Sequence, residues 1–183
     1  MTREVRRIYD ELLVLHARAG DRAALERLVA YWRPRHFAHA RRLLWREEDA
    51  ADAVQEAWVS IIRSVGRLSD PARFGSWSYA IVTRRCQDRM RAAAREPKGG
   101  EWTETPDPNG AEHDADEDMR RAMRSLAPDQ RAAIALYYRE GFSVAEIADA
   151  LGVPPGTVKS RLFSARGTLR KFFKQGDDDD ETG

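Results

Sequence analysis

Residues 96–118 divide the chain. The run EPKGGEWTETPDPNGAEHDADED holds three prolines, three glycines and nine acidic residues, with almost nothing apolar. A segment of that composition cannot bury enough surface to offset the entropy of ordering it. It predicts a flexible acidic linker, so the 183 residues fold as two small units, 1–95 and 119–175, each with its own core. Residues 176–183, GDDDDETG, are too acidic and too polar to join either unit and read as a disordered tail.

Both blocks have helical composition. Ala, Arg, Leu and Glu dominate while Val, Ile and Thr are sparse, which favours helix throughout and an all-α fold. In the first block Val5, Ile8, Leu12 and Leu15 recur at helical spacing and read as a first helix. Gly20 ends that helix and Asp21 caps the next. Pro34 predicts a kink or break in the second helix. Asp49 reads as the cap of a third, DAADAVQEAWVSIIRSV. At 100° per residue, Ala50, Val54, Ala57, Trp58 and Ile61 share one face, with Asp52, Gln55, Glu56 and Arg63 opposite. The loop GRLSDPARFG leads into a fourth helix from near Ser76 to about Arg95. There Tyr79, Val82, Cys86 and Met90 form one stripe, and Trp77, Ile81, Arg84, Asp88 and Arg91 line the other side.

Several function classes drop out at this stage. One cysteine, Cys86, excludes an internal disulfide and a Cys-based zinc site, and reads as a small packing residue. His16, His36, His39 and His113 lack metal-like company; the neighbours of His36 and His39 are mostly Arg, which repels cations. The residues give no catalytic constellation, no metal site and no cofactor. No apolar run is long enough to span a membrane, and MTREVRRIYDELL has charges where a signal peptide needs an apolar core. The expectation is a cytoplasmic, non-enzymatic protein without membrane insertion.

Charge supplies the partner class. Residues 1–95 carry +7, 96–118 carry −8, 119–175 carry +7 and 176–183 carry −5. Two basic blocks suit nucleic acid, although solvated helix faces would produce the same numbers. The second block adds a specific pattern, SVAEIADALGVPPGTVKSRLFSARGTLRKFF, with the spacing of a helix-turn-helix. Ser143 and Glu146 form a capping box. Ile147, Ala148 and Leu151 face inward, Gly152 makes the turn, Val153 fills the corner and Pro155 opens the next helix. On that helix Val158, Leu162, Ala165 and Leu169 form the core face. Ser160, Phe163, Ser164 and Gly167 lie opposite, flanked by Lys159, Arg161 and Arg166. Polar groups at the centre with cations at the edges suit base readout with phosphate clamping.

The run GTVKSRLFSARGTLRKF resembles region four of bacterial sigma factors. DAADAVQEAWVSII resembles region two, and ARFGSWSYAIVTRRCQDRMR resembles the stretch that follows it. The ordered resemblances cover nearly all of residues 10–175, with nothing like the additional regions of the housekeeping factors. That is the pattern of the extracytoplasmic-function (ECF) group. The resemblance implies a dissociable subunit that binds RNA polymerase core, at the clamp and the flap, and directs it to promoter DNA, duplex and single-stranded. It implies polymerase contacts at Asp52, Gln55 and Glu56, and minus-ten contacts at Arg67, Ser69, Arg73, Trp77, Arg84 and Arg85. It implies minus-thirty-five contacts at Thr157, Lys159, Ser160, Arg161, Phe163, Ser164 and Arg166. It also suggests an anti-sigma protein as regulator, which no residue identifies. Four departures stand out: Arg84 where the family usually has Asn, Arg89 where an aromatic is common, Met90 in place of Leu, and a loop sharing little beyond a cation and Phe74. The competing reading is a stand-alone helix-turn-helix repressor or activator, in which residues 1–95 sense a ligand or dimerise.

Overall fold

The computed structural model describes residues 3–95 and 113–180, all of them helix, turn or short connection. The chain separates into two compact units, one formed by residues up to Pro97 and the other by the bulk of the residues from Lys98 on.

The first unit packs four helices: α1 (Arg3–Arg18), α2 (Arg22–Leu43), α3 (Glu47–Ser64) and α4 (Phe74–Arg95). Asp21 caps α2 by accepting from the Ala24 N–H at 3.2 Å, as its position after Gly20 implies. The core is made where the α3 and α4 stripes meet. Ala50, Val54, Ala57, Trp58 and Ile61 are buried against Tyr79, Val82 and Cys86. Each large side chain in that set contributes about 2 kcal/mol of apolar burial. Trp32 of α2 lies over α4 so closely that a Cβ at Gly75 would sit 3.1 Å from its ring. A side chain there would require the Trp32 ring to give way slightly.

Three features of this unit could not be taken from the sequence pattern. Val5, Ile8, Leu12 and Leu15 stay about half exposed, and α1 packs instead through Leu13, Val14 and Asp10. The helix carries two apolar faces, and the one with the cleaner periodicity is not the one that meets the body. Pro34 neither breaks nor ends α2, which runs unbroken past it. The proline is exposed, and Arg35 donates to the Tyr31 carbonyl at 2.9 Å, satisfying a backbone acceptor beside the gap. Asp49 is not the cap of α3: the helix starts at Glu47, and Asp49 falls in its acidic first turn, where the helix dipole favours it.

His36 and His39 belong to this core. Both are fully buried, ringed by Trp32, Trp58 and Tyr79. His36 Nε2 lies 3.1 Å from Ser78 Oγ and His39 Nε2 lies 2.9 Å from Thr83 Oγ1. Ser78 spends its own proton on the Gly75 carbonyl, so His36 Nε2 must be the donor. Its Nδ1 is then a buried lone pair without a partner. Burial pushes both imidazoles down to about 3; His39 repels His36, and Arg42 repels His39. Cys86, also buried, is pushed up to about 12 by desolvation and is inert as a thiolate.

The second unit holds α5 (His113–Arg124), α6 (Pro128–Ile134), α7 (Val144–Leu151) and α8 (Pro155–Asp180). A π-helical turn, Ala135–Arg139, extends α6. Two boundaries differ from expectation. α5 begins at His113, inside the stretch read as linker. α8 continues to Asp180, through the first residues of the acidic tail. The remaining linker, 96–112, and residues 181–183 lie outside the described residues, and with them the expectation of flexibility there. Arg131 ties α5 to α6. Its buried guanidinium donates to the carbonyls of Met123 (2.9 Å), Arg124 (3.2 Å) and Leu126 (3.1 Å), at and just past the end of α5; the Met123 carbonyl also accepts from the Leu126 N–H at 3.3 Å.

Candidate nucleic-acid interface

The α7–α8 pair is built by local chemistry. Ser143 Oγ accepts from the Glu146 N–H at 3.2 Å, and Glu146 Oε2 accepts from the Ser143 N–H at 2.7 Å. Both halves of the capping box are therefore made. Gly152 ends α7 in the left-handed conformation, φ 64° and ψ 37°, which costs glycine nothing and any other residue a penalty. Pro155 opens α8 at a position with no donor to lose. Ile147, Ala148, Val158, Leu162 and Ala165 are buried between the helices and α6.

The opposite face of α8 is bare. Lys159, Ser160, Phe163 and Ser164 are exposed, and Thr157 is half-buried beside them. Phe163 is 78% exposed, an aromatic ring with no packing role inside its own unit. Such a ring costs solubility and is retained where it meets a partner; a thymine methyl in a major groove is one such partner. Ser160 donates to the Thr157 carbonyl at 2.9 Å, which leaves its oxygen as an acceptor facing outward.

The two arginines of this set are not equivalent to Lys159. Arg161 is turned inward and bound to Asp129 Oδ2 of α6 at 2.5 Å, with only 21% of its side chain exposed. In this structure it ties α8 to α6. Arg166 is exposed, but its Nε–H donates to Tyr138 Oη at 2.8 Å and its guanidinium lies 5.7 Å from the Tyr137 and Tyr138 ring centroids. These tyrosines are placed by the π turn and had no part in the sequence reading. Arg161→Ala should lower the thermal midpoint of the second unit, by about 1 kcal/mol of lost partly buried ion pair, and leave the salt slope of duplex binding unchanged. Lys159→Ala should show the reverse, a slope shallower by about one unit with no loss of stability.

In the first unit, α3 presents a continuous outward face. Asp52, Gln55 and Glu56 are exposed, as the wheel requires. The face continues into Val59 and Ile62, 43% and 46% exposed, which sequence reasoning passed over. Their signal was available, since 55, 59 and 62 follow the same i, i+4, i+7 line. An acidic half and an apolar half together make a surface with both charge and desolvation to offer a protein partner. Asp52 and Glu56 are not unpaired: both meet Arg89 of α4, at 3.5 and 2.7 Å.

The segment between α3 and α4 makes two tight turns, Val65–Arg67 and Pro71–Arg73, the second capped by Asp70 accepting from the Ala72 N–H at 3.0 Å. Arg18 of α1 donates to the Leu68 carbonyl at 3.3 Å and pins the segment. Arg67, Ser69 and Arg73 are exposed on it, and Trp77 follows in the first turn of α4, packed 5.9 Å from Phe74. Arg84 is exposed further along the helix. Arg85 departs from the group: it donates to Ser60 Oγ of α3 at 3.2 Å and is half-buried. Among the described residues no cluster of His, Cys, Asp and Glu could hold a metal ion, and no helix is long and apolar enough to cross a membrane.

Comparisons with known proteins fit this division of surfaces. Residues 28–96 match the family model for Sigma-70 region 2, and residues 116–169 match that for Sigma-70, region 4. The chain is 36% identical over 164 residues to the ECF RNA polymerase sigma factor SigM of Mycobacterium tuberculosis, covering 89% of this chain and 83% of that protein. It is 29% identical to the ECF RNA polymerase sigma-E factor of Escherichia coli, covering 87% and 92%. Among solved structures it resembles the sigma factor RpoE in complex with the anti-sigma factor NepR from Bartonella quintana, with TM-score 0.71, 26% identity and coverage of 82% and 96%. It also resembles CnrH in complex with the cytosolic domain of CnrY, with TM-score 0.70, 25% identity and coverage of 91% and 98%. Two ordered region matches do not favour a stand-alone regulator. The chain belongs to the ECF family of RNA polymerase sigma factors, and its function is transcription initiation.

Proposed function

We propose that this chain binds RNA polymerase core through the outward face of α3 and delivers it to promoters through two separate DNA surfaces. Asp52, Gln55 and Glu56, extended by Val59 and Ile62, dock on the polymerase clamp. Thr157, Lys159, Ser160, Phe163 and Ser164 of α8 read the minus-thirty-five duplex, with Arg166 at the edge. Arg67, Ser69, Arg73, Trp77 and Arg84 hold the melted minus-ten strand, where cations and a stacking surface are the chemistry required. Arg161 and Arg85 act as internal braces. The observation that carries the reading is the exposure of large apolar side chains beside polar ones on two helices, Phe163 on α8 and Val59 and Ile62 on the outward face of α3. The polymerase performs the chemistry and the chain itself catalyses nothing, working wherever the polymerase works, in the cytoplasm. The relatives solved with anti-sigma partners support a protein of that class as its regulator.

Charge reversal at Asp52 and Glu56, both to Lys, tests the docking face. Affinity for core polymerase should fall at least tenfold with helicity unchanged, since both side chains stand outside the core. Run-off transcription on genomic fragments should fall in parallel. Undiminished core affinity in a folded variant removes α3 from the interface.

A further inference from the structure

Arg89 stands where three carboxylates converge. Its Nη2 lies 2.7 Å from Glu56 Oε1 and 3.5 Å from Asp52 Oδ2, and its Nη1 lies 3.7 Å from Asp49 Oδ1. The guanidinium is held mostly inside, with 28% of the side chain exposed, while Asp52 and Glu56 are 63% and 52% exposed. The acids thus face solvent, and the cation that balances them is withdrawn beneath. A partner approaching α3 meets accessible negative charge and displaces Arg89 from it.

We propose that Arg89 is a phosphate-binding residue of α4 that becomes available only when the polymerase is docked; this rests on the docking role of α3. In the free chain Arg89 is committed to Asp49, Asp52 and Glu56. When cationic groups of the partner take those carboxylates, Arg89 is left beside like charge, and the repulsion favours a rotamer away from α3. The helix does not need to move, because the arginine stem is long and flexible and one edge of the group is already open. The nearest use for a displaced guanidinium is a backbone phosphate of the strand held along α4, the helix that also presents Arg84. Docking and DNA binding are then coupled by a change of ion-pair partner, and the uncommitted chain binds DNA with one cation fewer than the holoenzyme.

The coupling is read from salt slopes. The probe is a fork DNA with a single-stranded non-template tail, titrated with free chain and with holoenzyme across a range of salt. Arg89→Met keeps the stem and removes the charge. In the holoenzyme its log–log salt slope should be shallower than wild type by about one unit, while the slope of the free chain stays unchanged. Core affinity at low salt should rise at least threefold, because Asp52 and Glu56 are left without their internal partner. The converse variant, Asp49→Asn with Asp52→Asn and Glu56→Gln, should steepen the free chain's slope by about one unit, because it removes all three carboxylates from Arg89 without polymerase. A holoenzyme slope identical to wild type in Arg89→Met overturns the proposal, as does an equal change in free chain and holoenzyme. Reduced core affinity with an unchanged slope also overturns it, and marks Arg89 as a brace between α3 and α4. Should Arg89→Met fail to fold, the triple amide variant decides alone: an unchanged free-chain slope is refuting. Failure of the docking face itself shows separately, as undiminished core affinity after charge reversal at Asp52 and Glu56.

Discussion

Acidification from pH 7 to 5 should cost the first unit about 4 kcal/mol, a large part of what a domain this size has in reserve. The source is His36 and His39. Unfolded, each titrates near 6.5; folded, each is held neutral down to about 3. Between those values the unfolded chain binds protons that the folded chain refuses, so stability falls as pH falls through that window and is fully present above it. Each histidine contributes about 2 kcal/mol of the loss by pH 5. Asp10 acts in the opposite sense. Desolvation raises its carboxyl, the Arg6 hydrogen bond and charge only partly offsetting that, so its contribution is present below about 3.8 and lost as pH rises above it. It softens the acid end of the curve and leaves the drop from 7 to 5 to the histidines. Urea midpoints followed by tryptophan fluorescence check this, since Trp32 and Trp58 lie 5.8 and 5.5 Å from the His36 ring. His36→Phe keeps an aromatic body in the slot and should halve the pH dependence. A midpoint flat from pH 7 to 5 would mean the imidazoles are not held neutral.

Arg131→Met should unfold most of the second unit at 37 °C. The substitution keeps a long apolar stem in the slot but takes the guanidinium donors from the carbonyls of Arg124 and Leu126, and leaves Met123 only the Leu126 N–H. Unpaired buried acceptors cost about 1–3 kcal/mol each, so the expected loss is roughly 3–5 kcal/mol. A unit of some sixty residues has little more than that to lose. Burial lowers the Arg131 guanidinium to about 10, with the Arg124 charge adding to the effect, so it is still charged at neutral pH. Arg131→Lys should rescue poorly, because one ammonium cannot reach three carbonyls that a planar fork spans. Thermal melts by circular dichroism, with duplex binding as a second readout, decide it. An Arg131→Met melt within about 1 kcal/mol of wild type would show that the end of α5 finds other donors.

What was legible in the chain follows from the range of the forces involved. The α7–α8 turn could be read because Ser143, Glu146 and Gly152 act on their own backbone or on neighbours three residues away. The outward face of α3 could be read because one regular helix obeys one period. α1 could not be, since Leu13 and Val14 form a second apolar face and periodicity does not say which face finds the body. Pro34 misled because the cost of a lost helix bond is set by what lies beside it, here an exposed surface and the side chain of Arg35. Arg161 misled for a different reason. Its partner Asp129 is 32 residues away, and a basic residue beside a recognition helix looks the same in sequence whether it is free or clamped. The family assignment was reached early because two motifs in order constrain more than either alone. That Arg161 and Arg85 are bound to partners within their own units needed coordinates.

The π turn at the end of α6 has a consequence for chain length. There the Glu140 N–H reaches back to the Ala135 carbonyl at 3.3 Å, and the Phe142 N–H to the Leu136 carbonyl at 3.1 Å. A turn of this kind holds one residue more than a regular helix needs, without displacing the ends. Removing one residue from 135–139 would let the helix close into ordinary α geometry, with Pro128 and Ser143 nearly where they are. What would rotate is the pair Tyr137 and Tyr138, by about the 100° that one helical position occupies. The turn therefore acts as a vernier. It sets the angle at which two tyrosines meet Arg166, and it can be reset by a single codon without rebuilding the domain around it.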